Sequence, residues 1–395
     1  MSAQGGPRRR SRMSRVRPSP FGVLIALGVA NHLVLTGSRV TVSLNALALG
    51  ANAATVGGLM ALFALFPMFL AIPGGRLADR MGVRAPMLVG SIGNAAGVLV
   101  ATLLPGLPAL FATAMLTGVS FMLFQVAAQY ATGEMGGLAA RTRNFGLLAL
   151  GYSTSSIAGP MIAGLMIDHA GFRATFALLT LLPLVPIAVL ATNRVKLPGP
   201  HPARTAGIEG SALDFVTHRE LRRVFLINGL VSMAWELYTL FVPIYGHGIG
   251  LSATRIGYVL AAFAGATFAI RLAMPAIARR MTEHAVLTTA LYIGAFVYLA
   301  LPFSRSVGVL MALSFCLGLG LGASQPMVMS LLHSHAPPGR MGEAAGVRLS
   351  LINSISVAVP LVFGAVGGAF GFSPVLWSVG LCLATGGWLT RSARR

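Results

Sequence analysis

The sequence has very little charge and almost no lysine. Only 10% of its 395 residues are charged, against roughly 25% in soluble domains, and Asp and Glu together number 9. The single lysine, Lys196, stands in no Gly-x4-Gly-Lys phosphate loop, which excludes ATP hydrolysis by that kind of site. The 2 cysteines lie in apolar runs and imply no disulfide framework, and no sequence cluster suits a metal ion. We therefore predict no enzyme activity, no metal and no cofactor.

Long apolar runs dominate what is present. Hydrophobic residues make up 55% of the chain, and many runs are about 20 residues long, the length that crosses a bilayer as a helix. The composition therefore predicts an all-α, polytopic membrane protein with twelve spans. We place them near 21–45, 54–74, 87–105, 108–132, 144–167, 173–193, 223–246, 254–276, 285–303, 307–333, 345–369 and 374–391.

The positive charges lie mostly on one side of these spans. Arginines are concentrated in 8–17, 76–84, 194–223 and 391–395, whereas the loops on the other side contain only Arg173, Arg255 and Arg305. Cytoplasmic loops carry such an excess, so both termini are predicted to be cytoplasmic in a cell membrane. The net charge of +20 then reflects topology and contact with anionic lipid, and no nucleic-acid partner is predicted.

The two halves of the chain repeat at an offset of 200 residues. The offset aligns prolines, glutamines and glycines without gaps, including Pro160 with Pro360, Gln125 with Gln325, and Gly171-Phe172 with Gly371-Phe372. We predict a disordered basic tail over 1–19, a six-helix half over 20–194, a cytoplasmic linker over 195–222 and a second half over 223–395.

Residues 74–84 read Gly-Gly-Arg-Leu-Ala-Asp-Arg-Met-Gly-Val-Arg. Each charge would cost about 2.5–3.5 kcal/mol at the bilayer centre, so this string must be a surface loop. It resembles the loop between helices two and three of the major facilitator superfamily, Gly-x-Leu-Ala-Asp-Arg-x-Gly-Arg-Lys. The matching residues are Gly75, Leu77, Ala78, Asp79, Arg80 and Gly82; Val83 replaces an arginine, and Arg84 occupies the next basic position.

The resemblance implies twelve helices in two pseudo-symmetric six-helix halves around a central cavity. It also implies a gating role for the loop, in which Asp79 faces the N-terminus of the eleventh span near Glu343–Gly346. Glu134 and either Arg80 or Arg84 would lie nearby.

A second motif lies in the fifth span. The family's proton-driven exporters carry Gly-x8-Gly-x3-Gly-Pro-x2-Gly-Gly there, and this sequence resembles it at Gly146, Gly159, Pro160 and Gly164. Ser155 and Ala163 replace two of the glycines, and Ala114 stands where that group often has an arginine in the fourth span. A kinked packing helix would also account for the string. The motif favours export.

Glu236 is the only acid near the middle of any span. Intramembrane acids usually mark functional sites, although a neutral carboxylic acid can also bond neighbouring helices. The 200-residue offset relates Glu236 to Thr36, and Arg39 lies within about 5 Å of the same depth by the helical rise. Because the resemblance implies that spans one and seven both face the cavity, we predict an Arg39–Glu236 pair.

Five further polar residues are candidates for substrate or proton binding. Asn31 and His32 lie in the first span, where an interior hydrogen bond is the simpler interpretation of each. Gln125 and Gln325 lie at equivalent places in spans four and ten, as substrate contacts or as links between helices. Arg271 either lines the cavity or extends to the cytoplasmic surface.

These features together predict secondary active transport of a small organic molecule by a monomer, as proton-coupled efflux. Glu236 would exchange its proton for substrate, and Arg39 would tune it or hold an anionic group. Two alternatives stay open: proton-coupled uptake in the same fold, and a membrane receptor or assembly factor that transports nothing.

Overall fold

A computed structural model describes residues 19–135, 137–193, 195–199, 219–335 and 341–392. It leaves out the side chains at 71–80, 137–142, 333, 341–343, 345, 346 and 392. Most of the predicted tail and linker therefore lies outside the described residues, and the domain boundaries stay a prediction.

Twelve α-helices make up nearly all of the described residues, which contain no strand. They are α1 Pro20–Ala48, α2 Ala53–Met81, α3 Arg84–Leu103, α4 Leu107–Glu134, α5 Gly137–Leu181, α6 Leu184–Ala191, α7 Arg219–Gly248, α8 Ala253–Ile277, α9 Glu283–Ala300, α10 Val307–His335, α11 Met341–Phe370 and α12 Phe372–Ser392. A 3₁₀ turn, Leu301–Phe303, follows α9. The helix α7 begins inside the predicted linker.

Within the described residues, eleven helical stretches are long and apolar enough to cross a membrane. One of them, Arg143–Ala191, has 49 residues. Such a length would extend about 74 Å as one straight helix, more than twice the roughly 30 Å of a hydrocarbon core. Gly171, with φ +79°, interrupts it, and Gly371, with φ +81°, separates α11 from α12 at the equivalent place. The described residues therefore form twelve helical segments of membrane-crossing length, as predicted.

The helix order defines two faces of the bundle. We call the face at which α1 begins and α2 ends the proximal face, and the face at which α1 ends and α2 begins the distal face. At the distal face, Asn52 caps α2 and Ser252 caps α8, each through its side-chain oxygen. The two caps are related by the 200-residue offset.

Two symmetry-related helix crossings join the halves near the distal face. A β-carbon on Gly57 of α2 would lie 2.2 Å from the carbonyl oxygen of Pro360 in α11. A β-carbon on Gly257 of α8 would lie 2.5 Å from the carbonyl oxygen of Pro160 in α5. Small residues allow backbones to approach this closely, which is how helices associate in membranes. The two crossings close the distal face.

Buried apolar clusters fill both halves and extend across the boundary between them. A buried cluster of α7–α12 includes the fully buried Tyr238, Phe241 and Tyr298. The N-terminal half holds two smaller clusters, around Phe176 and around Phe124. The halves also pack against each other: Val40, Leu44 and Ala163 belong to the cluster of α7–α12, and Leu240 of α7 belongs to the cluster around Phe176.

We predict that Gly57→Ala destabilises the protein while Gly58→Ala does not. A methyl group at 57 overlaps the backbone of α11, and overpacking of this kind typically costs about 1–3 kcal/mol. A β-carbon on Gly58 meets no atom within 4 Å, so this neighbouring variant is a matched control. Thermal unfolding of both purified variants in one detergent checks the prediction, and equal midpoints would contradict it.

Candidate functional site

A cavity of about 350 Å³ lies between the two halves. Cavities of roughly 300–1,000 Å³ are typical of sites for small organic ligands. Five helices contribute to its wall. The lining residues are His32, Leu35, Thr36, Arg39 and Val40 of α1, Met60 of α2, Ala149, Tyr152, Ser153, Ser156 and Pro160 of α5, Trp235, Tyr238, Thr239 and Pro243 of α7, and Leu260, Phe263, Ala264, Thr267 and Arg271 of α8.

The structure brings Arg39 and Glu236 together across the two halves. Arg39 Nη2 donates to Glu236 Oε2 at 3.0 Å, and Ser356 of α11 donates to Oε1 at 2.9 Å. The Glu236 side chain is 12% exposed and that of Arg39 is 27% exposed. Glu236 itself does not line the cavity, whereas Arg39 does. Arg39 therefore lies between the carboxylate and the cavity. One carboxylate oxygen accepts from Arg39 of the N-terminal half, and the other accepts from Ser356 of the C-terminal half.

His32 lies in an aromatic and hydroxyl cluster between α1 and α5. Its Nδ1 is 2.6 Å from Ser155 Oγ, and its ring stacks on Tyr152 at a centroid distance of 4.8 Å. The hydroxyl of Thr36 donates to the carbonyls of His32 and Ser155 at 3.1 Å each. Ser155, which replaces a motif glycine, thus fixes the orientation of the imidazole.

Arg271 faces the cavity rather than the membrane surface. Its Nη1 donates to Ser153 Oγ at 2.8 Å, which connects α8 to α5 across the halves. The hydroxyl of Ser153 in turn donates to the carbonyl of Ala149 at 3.0 Å. Among the acids whose side chains are described, none lies within ion-pair distance of Arg271.

Besides Glu236, three sequence candidates do not line this cavity. Asn31 is fully buried against α3, where it donates to Ser91 at 3.1 Å and accepts from Asn94 at 3.2 Å. Gln325 accepts from Arg348, which also donates to Asn228 at 3.0 Å. Gln125 is half-buried on α4.

The prediction of a surface loop over 74–84 is wrong for most of this string, because α2 continues to Met81 and only Gly82 and Val83 lie outside a helix. Only part of this predicted gating segment can be placed in side-chain detail. Gly82 ends α2 with φ +75°, and Arg84 at the start of α3 donates to the carbonyls of Leu190, at 2.7 Å, and Val195. Glu134 is exposed at the end of α4. The side chains of Leu77, Asp79, Arg80 and Glu343 lie outside the described part of the structure, as do the surroundings of Gly75.

Three of the four residues of the helix-five motif lie at helix crossings. A β-carbon on Gly159 would lie 2.1 Å from Thr36 Oγ1, and one on Gly164 would lie 2.5 Å from the carbonyl oxygen of Ala253. Pro160 contacts Gly257. A β-carbon on Gly146 would have no neighbouring atom within 4 Å, so this residue does not lie at a helix crossing. The motif therefore shapes the contacts of α5 with α1 and α8.

Sequence reasoning missed Asp168, near the distal face on α5. Its two carboxylate oxygens accept from the backbone N–H groups of Ala253, at 3.0 Å, and Thr254, at 2.8 Å. These are the first residues of α8, whose N-terminus favours a negative charge by about 0.3–1 kcal/mol. The 200-residue offset relates Asp168 to Gly368, which has no carboxylate. The α5–α8 crossing therefore has this hydrogen-bonded cap, and the α2–α11 crossing does not. Asp168 is the only acid near the predicted outer loops, which is the signal that could have found it.

The comparisons with known proteins agree with this architecture. The family model of the Major Facilitator Superfamily matches residues 24–360. The class G tetracycline resistance protein of Vibrio anguillarum is 26% identical over 336 residues, which cover 83% of this chain and 84% of that protein. The class C protein of Escherichia coli is 26% identical over 339 residues, with the same coverage.

A solved peptide transporter, POT in complex with sulfate, superposes with a TM-score of 0.78 at 15% identity, covering 96% of this chain and 95% of that chain. At this identity the likeness shows the fold alone. The symmetric helix crossings, the cavity between the halves and the matched family model lead to one conclusion: the chain belongs to the Major Facilitator Superfamily of membrane transporters.

Proposed function

We propose that this transporter exports a small organic molecule from the cell in exchange for protons. The observation that carries the proposal is the ion pair between Arg39 and Glu236, which joins the halves beside the cavity. Its acid is the kind of group that can bind and release a proton during transport. The relatives named as resistance proteins support export, because resistance through a membrane transporter requires removal of the drug from the cell.

The proximal face would be cytoplasmic, with both termini on that side. The distribution of arginines along the sequence supports this orientation. The described conformation would then be closed to the outside, since the α2–α11 and α5–α8 crossings lie at the distal face. The chain would work as a monomer in the cell membrane, because one copy encloses the whole cavity.

Protonation would act through the bond between the halves. When Glu236 takes up a proton, the carboxyl becomes neutral, and its attraction to Arg39 falls from that of an ion pair to that of a hydrogen bond between a cation and a neutral acceptor. Arg39 stays charged and turns toward the cavity. Proton uptake from the outside therefore loosens the contact between α1 and α7, and release to the cytoplasm restores it. Alternating access by rocking of the two halves needs such a reversible contact.

Helix N-termini would hold each end state. Asp168 binds the N-terminus of α8 in the distal-closed state. Asp79 lies in the last turn of α2 at the proximal face, where α11 begins, and would bind that N-terminus in the proximal-closed state, with Glu134 and Arg80 nearby. Arg84 would act differently from the other loop cations, by holding the end of α6.

Uptake in the same fold is the competing direction of transport. Right-side-out and inverted vesicles with an imposed proton gradient separate the two directions. The substrate to be measured would first be identified by challenging the growth of an overexpressing strain with candidate compounds, beginning with tetracycline. Accumulation in inverted vesicles acidified inside supports export, whereas accumulation only in right-side-out vesicles with acid outside supports uptake.

We predict that Glu236→Gln loses transport driven by a pH gradient, by about tenfold or more, but keeps exchange of labelled for unlabelled substrate. The amide preserves shape and a hydrogen bond to Arg39, yet it cannot take up a proton. Exchange requires no net proton movement, so it should survive. Transport by reconstituted vesicles, measured with and without the gradient, checks both.

The matched control for this prediction is Glu220→Gln. Glu220 lies at the start of the same helix, where it pairs with Arg223 at 3.1 Å near the surface. This variant should transport like the natural protein. Gradient-driven transport by Glu236→Gln at an unchanged rate and with unchanged pH dependence would leave Glu236 a structural bond only.

We predict that a disulfide between Ala53→Cys and Gly368→Cys stops transport reversibly. A β-carbon at 368 would lie 3.8 Å from that of Ala53, the usual spacing across a disulfide. The bond would prevent α2 and α11 from separating at the distal face. Oxidation should abolish transport and a reducing agent should restore it, while each single cysteine variant should be insensitive. Full transport by the oxidised, cross-linked protein would contradict an opening at this crossing.

A further inference from the structure

The cavity holds more positive than negative charge. Arg39 and Arg271 both line it. Arg39 pairs with Glu236, whose second carboxylate oxygen accepts from Ser356. Among the described acids, none is left to balance Arg271. One guanidinium therefore faces the space between the halves with no counter-charge among the described side chains, in a location where an isolated charge is costly.

The hydroxyl groups of the wall do not supply that counter-charge. Thr36, Ser153, Ser156 and Thr239 each donate their proton to a backbone carbonyl of the helices. Ser153 accepts one N–H of Arg271. A guanidinium has five N–H groups, so most of the donors of Arg271 are left for another acceptor. The acceptor that suits a planar cation best is a carboxylate or a similar oxyanion.

The rest of the wall is apolar and includes a group of aromatic side chains from α7 and α8. Trp235 and Phe263 meet edge to face at 4.7 Å, and Phe263 stacks on Tyr238 at 4.5 Å. Arg271 lies about 18 residues, or roughly 27 Å, from the distal start of α8, whereas Arg39 lies about 9 residues, or roughly 14 Å, from the distal end of α1. The cations therefore differ in depth by about 13 Å, and the aromatic surface belongs to the same cavity.

We propose that the substrate is an amphipathic aromatic carboxylate, whose anionic group pairs with Arg271 while its ring packs against Trp235 and Phe263. This inference rests on the proposed transport function, but it concerns recognition and not the direction or driving force. Its test is therefore a binding measurement, which does not require transport. Arg271 would select the anion, and the Arg39–Glu236 pair would remain free to respond to protons.

The test uses three probes that share a naphthalene ring system and differ in charge. They are the anionic 2-naphthoate, the neutral 2-naphthamide and the cationic 2-naphthylmethylamine. The full-length protein is placed in nanodiscs of a zwitterionic lipid, and each probe is titrated while thermal unfolding is followed, since a ligand of the folded state raises the midpoint. The naphthoate should bind about tenfold or more tightly than the amide, and the amine should not protect.

Variants then locate the preference. Arg271→Gln should weaken naphthoate binding by about tenfold or more, as expected for loss of a charged hydrogen bond, and leave the amide unchanged. Arg271→Lys should keep most of the preference because it keeps the charge. Arg255→Gln, which removes an exposed cation at the distal start of the same helix, is the matched control and should bind like the natural protein.

Several results would overturn the proposal. These are equal binding of naphthoate and naphthamide, preference for the amine, no protection by naphthoate, or an unchanged preference in Arg271→Gln. If Arg271→Gln fails to fold, the three probes on the natural protein and on Arg271→Lys decide the question. Failure of proton-driven export, with the anion preference intact, would instead count against the proposed function alone.

Discussion

Close backbone contact between helices of opposite halves is the constraint on which the other features depend. Hydrocarbon supplies no hydrophobic force between helices, so small residues and tight packing must hold them together. Gly57 against Pro360 and Gly257 against Pro160 provide this contact at two symmetric places. Because both places lie at the distal face, the halves meet there, and the cavity with its polar groups lies on the proximal side of the contacts.

Charged groups then occupy the positions that the scaffold leaves between the halves. Arg39 binds Glu236, Arg271 binds Ser153, and Asp168 binds the N-terminus of α8. Each of these bonds has one partner in each half. The proposed motion of the halves would therefore break or remake them, which would make them the points at which a proton or a substrate acts on the whole molecule. A contact within one half, such as that of Asn31 with α3, lacks this property.

The fold was predictable from the sequence because apolar length and repeated spacing determine it. The depth of each polar residue was also predictable from the helical rise, which brought Arg39 and Glu236 to one level. The direction of a side chain around its helix was not, because it depends on which neighbour packs there. Asn31 and His32 are consecutive, yet the first faces α3 and the second faces the cavity. Asp168 acts on backbone groups of another helix, which no side-chain pattern records.

The charged residues differ between equivalent positions of the two halves, so the halves are not interchangeable. They share helix crossings, caps and turns at one offset, but Glu236 corresponds to Thr36, Arg39 to Thr239, Arg271 to Ala71 and Asp168 to Gly368. Two copies of the first half would contain two Arg39 side chains and no Glu236. Two copies of the second half would contain two Glu236 side chains and no Arg39. The halves are thus comparable to the two different subunits of an obligate heterodimer. A homodimer of either half would lack groups that the central site needs.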